Sequence, residues 1–284
     1  MNAFTTEFWI EYGKLLDSLI HDGYDIRAVV LSSVLPKVFT AGIDCTYFPQ
    51  PYDIHIHEPD SAVTDFDNGS LGSGEDSARM AFQTRKIIDE FHRIVTAPQR
   101  APFPVITALH GHVIGLGVDL IAACDIRYAA SNTSFSIKVC SRDIFVLSTS
   151  SSIFWQEIDI GVAPHIGTLA FLPKITGNDS LVRELTYTAR PFSAIEAEKL
   201  GLVSKVVEGG RDEVIKAALE LAKLIATKSP VAVASSKHLI SHSRDHSVPE
   251  NLSYTSVWNS SSLMTKVTFS PSFTVWLPHV NMHL

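Results

Sequence analysis

The sequence lacks an excess of basic residues, a cysteine framework and a long apolar run. It has 23 Lys and Arg against 30 Asp and Glu, and its net charge of −7 disfavours binding to nucleic acid or to an anionic membrane surface. Its three cysteines, Cys45, Cys124 and Cys140, show no metal-binding or redox spacing, which indicates reduced thiols in an intracellular protein. The longest apolar stretch, 113–124, is shorter than the roughly 18 residues of a membrane span and contains Asp119. We therefore expect neither a membrane-spanning helix nor a metal site.

The sequence does contain a long alternation of strand and helix patterns. Apolar residues make up 45% of its 284 residues, enough for the core of one large domain. Apolar spacing predicts helices over 6–21, 77–95, 115–124, 181–188, 194–200, 211–228 and 231–243. Strands are predicted over 27–34, 104–109, 126–130 and 134–138, with loops over 39–44 and 52–74. Strands alternating with helices predict an α/β fold.

Two glycine-containing turns are candidates for binding a carbonyl oxygen. The first is Ala41-Gly42-Ile43, and the second is Gly115-Leu116-Gly117, which follows a strand and opens a helix. Glycine lets a ligand approach the backbone closely, and the first amides of a helix lack intrahelical acceptors. Two such amides that point at one place would form an oxyanion hole. Either turn taken alone is more often an ordinary turn, and no dinucleotide or phosphate-loop fingerprint is completed.

Three polar residues are candidates for acid–base chemistry. Asp119 lies in the first turns of an apolar helix, where the helix dipole alone can explain a carboxylate. Glu157 and His165 lie eight residues apart around a glycine. Taken singly, Glu157 and His165 are more often surface residues than catalytic ones, and only a combination of motifs favours chemistry.

That combination is present, and it resembles the enoyl-CoA hydratase/isomerase (crotonase) superfamily. The motifs are FTAGID at 39–44, VITALHGHVIGLGVDLIAACDIRYAA at 105–130, IGTLAFLPKITGN at 166–178 and ARPFSAIEAEKLGLVSKVV at 189–207. Each is weak alone, but together they are specific, and they are most similar to the dienoyl-CoA isomerases of that family. The resemblance implies a spiral of β-β-α units followed by a helical region.

The resemblance also implies roles for five residues. The oxyanion amides would belong to Ile43 and Leu116, the second of which replaces a residue that is commonly glycine. Asp119 matches a pocket aspartate of the isomerases, and Glu157 matches the catalytic glutamate. His165 stands where the isomerases have a further catalytic aspartate. Histidine titrates near neutrality and is able to act as a base, so the departure indicates either a substituted base or a lost activity.

The implied reaction moves the double bonds of a 3,5-dienoyl-CoA to the 2,4 positions in fatty-acid β-oxidation. No cofactor is expected, because coenzyme A is part of the substrate. The expected partners are a fatty acyl-CoA and further copies of the chain, as a homotrimer or homohexamer. The expected location is the peroxisome, with the mitochondrion as the alternative. An enoyl-CoA hydratase and a non-catalytic acyl-CoA-binding protein of the same fold remain alternatives.

One segment interrupts the resemblance. In the family, the residue matching Lys138 directly precedes the catalytic glutamate, whereas here residues 139–156 intervene. Removing these 18 residues shortens the separation of Asp119 and Glu157 from 38 to the family's 20. Valine codons begin with GT and one glutamine codon is CAG, which are the ends of a short intron. We interpret 139–156 as a retained intron, and transcripts that join Lys138 to Glu157 would support this interpretation.

The resemblance divides the chain into three parts. Residues 1–190 are expected to form the spiral core, without the family's first hairpin strands, and residues 191–266 the helical trimerisation region. Residues 267–284 do not resemble the family. A chain with this insert and these termini is expected to unfold less cooperatively than one with the family's pattern.

Overall fold

The structure, a computed structural model, describes residues 2–21, 25–43, 77–137 and 163–262. Its helices are α1 Thr6–His21, α2 Ser77–Val95, α3 Ala97–Arg100, α4 Leu116–Ala122, α5 Thr168–Ile175, α6 Asp179–Thr188, α7 Ala194–Leu200, α8 Arg211–Ala226, α9 Pro230–Ser243 and α10 Val248–Ser262. Its strands are β1 Ala3–Phe4, β2 Val29–Leu31, β3 Val38–Thr40, β4 Gly42–Ile43, β5 Val105–Leu109, β6 His112–Ile114, β7 Ile126–Ala130, β8 Ser134–Ser136, β9 Phe192–Ser193 and β10 Lys205–Val207. No helix in these ranges is long and apolar enough to cross a membrane.

The two larger sheets are built from consecutive pairs of strands. One sheet has the parallel order β10-β7-β5-β2, and the other has the order β3-β6-β8-β9. The pairs β2/β3, β5/β6 and β7/β8 each give their first strand to one sheet and their second strand to the other. The corner between β5 and β6 requires glycine, because Gly111 has φ +59° and a Cβ there would collide with the carbonyl of Lys37. This repetition generates a spiral of paired strands.

Helices cover the strands with apolar or small side chains. The buried residues of α1, Trp9, Tyr12, Leu16 and Leu19, repeat every three or four positions, so one face of the helix packs on the core. The buried face of α8 carries Val214 and three alanines, which let the helix lie close to the sheet of β5 and β7. Strand β5 is buried at every position, as expected for a central parallel strand.

The predicted α/β class is confirmed, and so are the helices over 6–21, 77–95 and 194–200 and the strand over 126–130. The predicted loop over 39–44 is wrong in part, because β3 pairs with β6 and β4 pairs with β1. The helix predicted over 115–124 begins one residue later, since Gly115 has φ +55°, outside the helical region. The strands predicted over 27–34 and 134–138 are shorter, at Val29–Leu31 and Ser134–Ser136.

Candidate active site

The two glycine turns meet in the structure. Gly42 has φ +88°, and a Cβ there would lie 3.0 Å from the carbonyl oxygen of Ile114 and 3.8 Å from the Cα of Gly115. The first turn therefore runs directly against the residue that caps α4. A side chain at position 42 would be strained by its φ and would also press on this backbone. Glycine at position 42 thus lets two segments about 70 residues apart in sequence touch.

Three of the predicted turn residues use their amides within the fold. The Ala41 amide donates to the carbonyl of Asn2 at 2.8 Å, and the Gly42 amide donates to Thr40 Oγ1 at 3.0 Å. The Gly115 amide donates to the carbonyl of Ser136 at 3.0 Å. Ala41, Gly42 and Gly115 therefore build the two turns. The role of the Ile43 and Leu116 amides in binding a ligand stays a prediction.

Leu116 begins α4 and has its side chain in the main hydrophobic core. Its neighbour Gly117 is required by packing, because a Cβ there would collide with Cγ2 of Thr40 on β3. Helix α4 is thereby pressed against the strand that leads into the first turn. The core accommodates the side chain that replaces the usual glycine at position 116.

Asp119 is buried on α4 and is joined to the start of α5. Its Oδ1 accepts hydrogen bonds from the Thr168 amide at 2.5 Å and from Thr168 Oγ1 at 2.7 Å. The carboxylate thus satisfies the first amide of α5, as a helix cap does. Burial raises the pKa of Asp119, while its bonds to Thr168 and the nearby charge of His165 act in the opposite direction.

The segment 163–168 carries the predicted base. Ala163 and His165 are exposed, whereas Pro164, Ile166 and Thr168 are buried. His165 Nδ1 lies 3.2 Å from the carbonyl oxygen of Ala163. His165 precedes Thr168, whose amide bonds to Asp119, by three residues, and its charge acts on the Asp119 carboxyl. The structure therefore brings together Asp119 and His165, which are 46 residues apart in sequence.

Two partners in this region were not identified from the sequence. Thr168 holds Asp119, and His92 on α2 donates from Nε2 to the carbonyl of His165 at 2.8 Å. Thr168 lies in the IGTL motif, and the resemblance to the family implies no role for this threonine. Nothing in the sequence around His92 marks it as a partner of a segment 73 residues away.

Glu157 and the segment 139–156 lie outside the described residues. The catalytic role of Glu157 and the interpretation of the insert therefore stay predictions. Cys45 and Cys140 also lie outside the described residues, whereas Cys124 is a buried free thiol whose pKa is raised to about 12 by burial. Such a thiol stays protonated and is unsuited to nucleophilic chemistry.

A cavity of about 530 Å³ lies elsewhere in the described part of the chain. It is lined by residues of α1, β2 and α8, among them Leu15, Leu31 and Ile215. None of the predicted site residues lines it. The candidate site is therefore defined by the meeting of the glycine turns and the Asp119–Thr168 contact rather than by this cavity.

Comparison with known proteins gives both family and fold relatives. The sequence model of the Enoyl-CoA hydratase/isomerase family matches residues 138–266. The mouse mitochondrial Delta(3,5)-Delta(2,4)-dienoyl-CoA isomerase is 40% identical over 93% of this chain and 69% of its own length. The Arabidopsis thaliana peroxisomal enzyme of that name is 36% identical over 93% of this chain and 82% of its length. The Short-chain-enoyl-CoA hydratase of Clostridium acetobutylicum is 31% identical over 90% of this chain and 79% of its length.

Solved structures resemble the chain in fold. The enoyl-CoA hydratase of Bacillus anthracis matches with a TM-score of 0.69 and 24% identity, over 93% of this chain and 83% of that one. The enoyl-CoA hydratase of Mycobacterium smegmatis matches with a TM-score of 0.68 and 20% identity over the same shares. At these identities the likeness concerns the fold alone, and it agrees with the predicted spiral of β-β-α units.

Proposed function

Since the chain belongs to the enoyl-CoA hydratase/isomerase family, we propose that it converts a 3,5-dienoyl-CoA to the 2,4-dienoyl-CoA in fatty-acid β-oxidation. The observation that carries the proposal is the meeting of the two glycine turns at Gly42 and Gly115, beside the pair of Asp119 and His165. The mouse and Arabidopsis relatives named dienoyl-CoA isomerase, at 40% and 36% identity, favour this reaction over others of the family.

In the proposed mechanism, the amides of Ile43 and Leu116 bind the thioester oxygen. Negative charge that develops on this oxygen is stabilised there, which acidifies the carbon next to the carbonyl. His165 removes a proton from that carbon, and the electron pair of the broken bond spreads through the conjugated chain. Glu157 returns a proton at the far end of the diene, and exchange with water then removes the proton that His165 gained and restores the proton that Glu157 lost.

Asp119 has a supporting part in this scheme. Its carboxylate joins α4 to the start of α5, and its charge acts on His165. A negative charge near an imidazole favours the imidazolium that forms when the base takes its proton. The reaction moves protons without net oxidation or reduction, so we propose that it needs no cofactor beyond the coenzyme A of the substrate.

A direct assay tests this proposal against its alternatives. The protein is incubated with a 3,5-dienoyl-CoA and, separately, with a 2-enoyl-CoA, and the products are separated by chromatography. Formation of the 2,4-diene supports the isomerase, and addition of water to the 2-enoyl-CoA selects the hydratase that the Clostridium relative represents. Binding without turnover selects an acyl-CoA-binding protein, which the departures at Leu116 and His165 favour.

We also propose that the chain assembles as a homotrimer or homohexamer through residues 191–266. Large apolar side chains are exposed on the last two helices, with Ile240 on α9 and Val248, Leu252 and Val257 on α10 each more than 60% exposed. Contact with further copies would bury them. Light scattering coupled to size-exclusion chromatography measures the assembly directly, and a monomer at micromolar concentration would contradict this proposal.

The proposed location is the peroxisome, with the mitochondrion as the alternative. The animal relatives are named mitochondrial and the Arabidopsis relative is named peroxisomal. Fluorescence microscopy of the tagged protein beside markers of both organelles distinguishes the two.

A further inference from the structure

Strand β2 lies at the end of its sheet. It pairs with β5 on one side, and no described strand pairs with its other side. The Val29 amide donates to the carbonyl of Pro104 at 2.9 Å, so Val29 faces β5. In a parallel ladder, alternate residues direct both backbone groups to the same side, so Val30 directs its N–H and C=O away from β5. Strand β2 therefore presents an edge on which a further strand is able to pair.

The cavity of about 530 Å³ lies along this edge. Six consecutive residues of the chain, 29–34, line it. Side chains of a strand alternate between its two faces, so a cavity that touches consecutive residues is bordered by their backbone. At one end, Arg211 Nε donates to the carbonyl of Ser33 at 2.9 Å, which closes the edge there. We call this cavity the β2 slot.

Two helices form the apolar walls of the β2 slot. The wall residues are Tyr12, Leu15, Leu16 and Leu19 of α1 and Ile215 and Leu219 of α8. The lining residues of α8 run from Arg211 to Lys223, a length of about 18 Å at a rise of about 1.5 Å per residue. A strand of about five residues has the same length. The β2 slot therefore matches one short strand.

The walls and the edge together select an extended peptide as the occupant. An alkyl chain would cover the walls but would leave the N–H and C=O of Val30 buried without partners, which is unfavourable. The edge of a second copy is recessed between its own α1 and α8, so the helices of two copies would meet before their edges do. A peptide strand pairs with the backbone of β2 and places alternate side chains on the walls.

The charges at the β2 slot favour an acidic residue on this peptide. Arg211 pairs with Asp212 at 2.8 Å. The other charged lining residues are Lys216, Glu220 and Lys223, two cations and one anion. A carboxylate on the occupant is attracted by this local excess of positive charge.

We propose that the β2 slot is a docking site for an extended peptide, which adds a fifth strand beside β2. The peptide has apolar side chains at alternate positions and an acidic residue at its end, and its main chain bonds to that of Val30. None of the residues proposed for the isomerase reaction lines the slot, so the docking site does not depend on that function.

The first test compares three dye-labelled peptides by fluorescence anisotropy with the full chain. The parent is acetyl-Glu-Val-Thr-Val-Thr-Val-Glu-amide, and two derivatives carry N-methyl groups on one or the other set of alternate amides. N-methylation removes the donors from one edge of a strand and retains its side chains. We expect one derivative to bind within about threefold of the parent and the other at least about tenfold more weakly. Equal affinities, as for any apolar ligand, or no binding of the parent would overturn the proposal.

Substitutions on α8 test whether the parent peptide lies in the β2 slot. Leu219→Ala removes part of a wall, and Leu224→Ala is the matched control, since Leu224 is 56% exposed and does not line the slot. We expect Leu219→Ala to lower the affinity about fivefold or more and Leu224→Ala to change it by less than about twofold. Equal affinities would contradict the proposal. So would self-association that Leu219→Ala abolishes and that excludes the peptide, because the slot would then hold a second copy.

Hydrogen exchange of single backbone amides locates the added strand without any substitution. We expect saturating parent peptide to slow exchange at the Val30 amide about tenfold or more, with a smaller effect at Leu31, whose amide faces β5. A bound peptide that leaves exchange at Val30 unchanged would lie elsewhere, and the proposal would be wrong.

Discussion

The region from β5 to β7 and the segment 163–168 position their residues by different means. In the first, every residue of β5 and α4 is buried, so the backbone that carries Leu116 and Asp119 is placed mainly by apolar packing. In the second, exposed and buried residues are interspersed, and the carbonyl of His165 accepts a hydrogen bond from His92 of α2. The part proposed to bind the carbonyl is thus expected to be rigid, whereas the part proposed to move the proton is expected to depend more on polar contacts.

The largest effect on stability is expected at Gly117 in the first region. Gly117→Ala would drive its Cβ into Cγ2 of Thr40 and should destabilise the protein by about 3 kcal/mol, because a filled core has no room for the added carbon. Gly177→Ala is the matched control, since a Cβ there meets nothing within 4 Å, and it should be neutral or stabilising by about 0.5 kcal/mol. Denaturant unfolding measures both. Similar changes at the two sites would mean that α4 is not packed against β3 as described.

A smaller loss of stability is expected when the hydrogen bonds between Asp119 and Thr168, which join the two regions, are removed. Asp119→Ala leaves the buried amide of Thr168 without its acceptor and should cost about 1–2 kcal/mol. Asp119→Asn retains an oxygen at Oδ1 and should be less harmful. Unfolding measurements on both variants decide this, and equal losses would indicate that the cap on α5 contributes nothing.

The buried carboxyl of Asp119 also predicts that the stability of the protein depends on pH. Because the pKa of Asp119 is raised above its unfolded value of 3.8, the folded protein binds the proton more tightly than the unfolded chain. Its contribution to stability is complete below the unfolded pKa and is lost as the pH rises through the folded pKa. The stability of Asp119→Asn relative to wild type should therefore increase as the pH rises through this range. A constant difference would contradict a raised pKa.

The smallest effect on stability is expected at Asp17 of α1, which forms ion pairs with Arg93 of α2 and Arg100 of α3. Burial raises the pKa of Asp17, but its hydrogen bonds to Arg93 and Arg100 outweigh this and lower it overall. Because the ion pairs are partly exposed, Asp17→Asn should cost less than about 1 kcal/mol at pH 7. This contribution should vanish as the pH falls through the lowered pKa. Thermal unfolding across pH measures this. A loss of stability larger than about 1 kcal/mol would show that the ion pairs of Asp17 with Arg93 and Arg100 are stronger than ordinary surface ion pairs.

The two regions also differ in how far the sequence predicted them. Helix α1 was predicted at its true bounds, since its buried residues repeat at helical spacing. Strands β3 and β4 fall in the predicted loop over 39–44, because runs of two or three residues become strands only through partners far away in the sequence. Helix α10 is not among the predicted helices, because its aliphatic residues are exposed and only aromatic residues such as Tyr254 and Trp258 pack against α9.

For the candidate site, the resemblance supplied the residues but not their contacts. Asp119 and His165 were found from motifs, whereas the bonds to Thr168 and His92 join residues 49 and 73 positions apart. No local pattern records a hydrogen bond over such a separation. The conformation of residues 163–168 is therefore information that the structure adds.

The central claim is tested most directly by the rate at which this protein converts a 3,5-dienoyl-CoA to its 2,4 isomer. The rate is measured for the wild type, for Glu157→Gln and for His165→Gln, with the exposed His21→Gln as control. We predict that each of the first two substitutions lowers kcat at least about 100-fold, as expected for the loss of an acid or base group, and that the control is unchanged. A wild-type rate in either variant would contradict the proposed proton transfer.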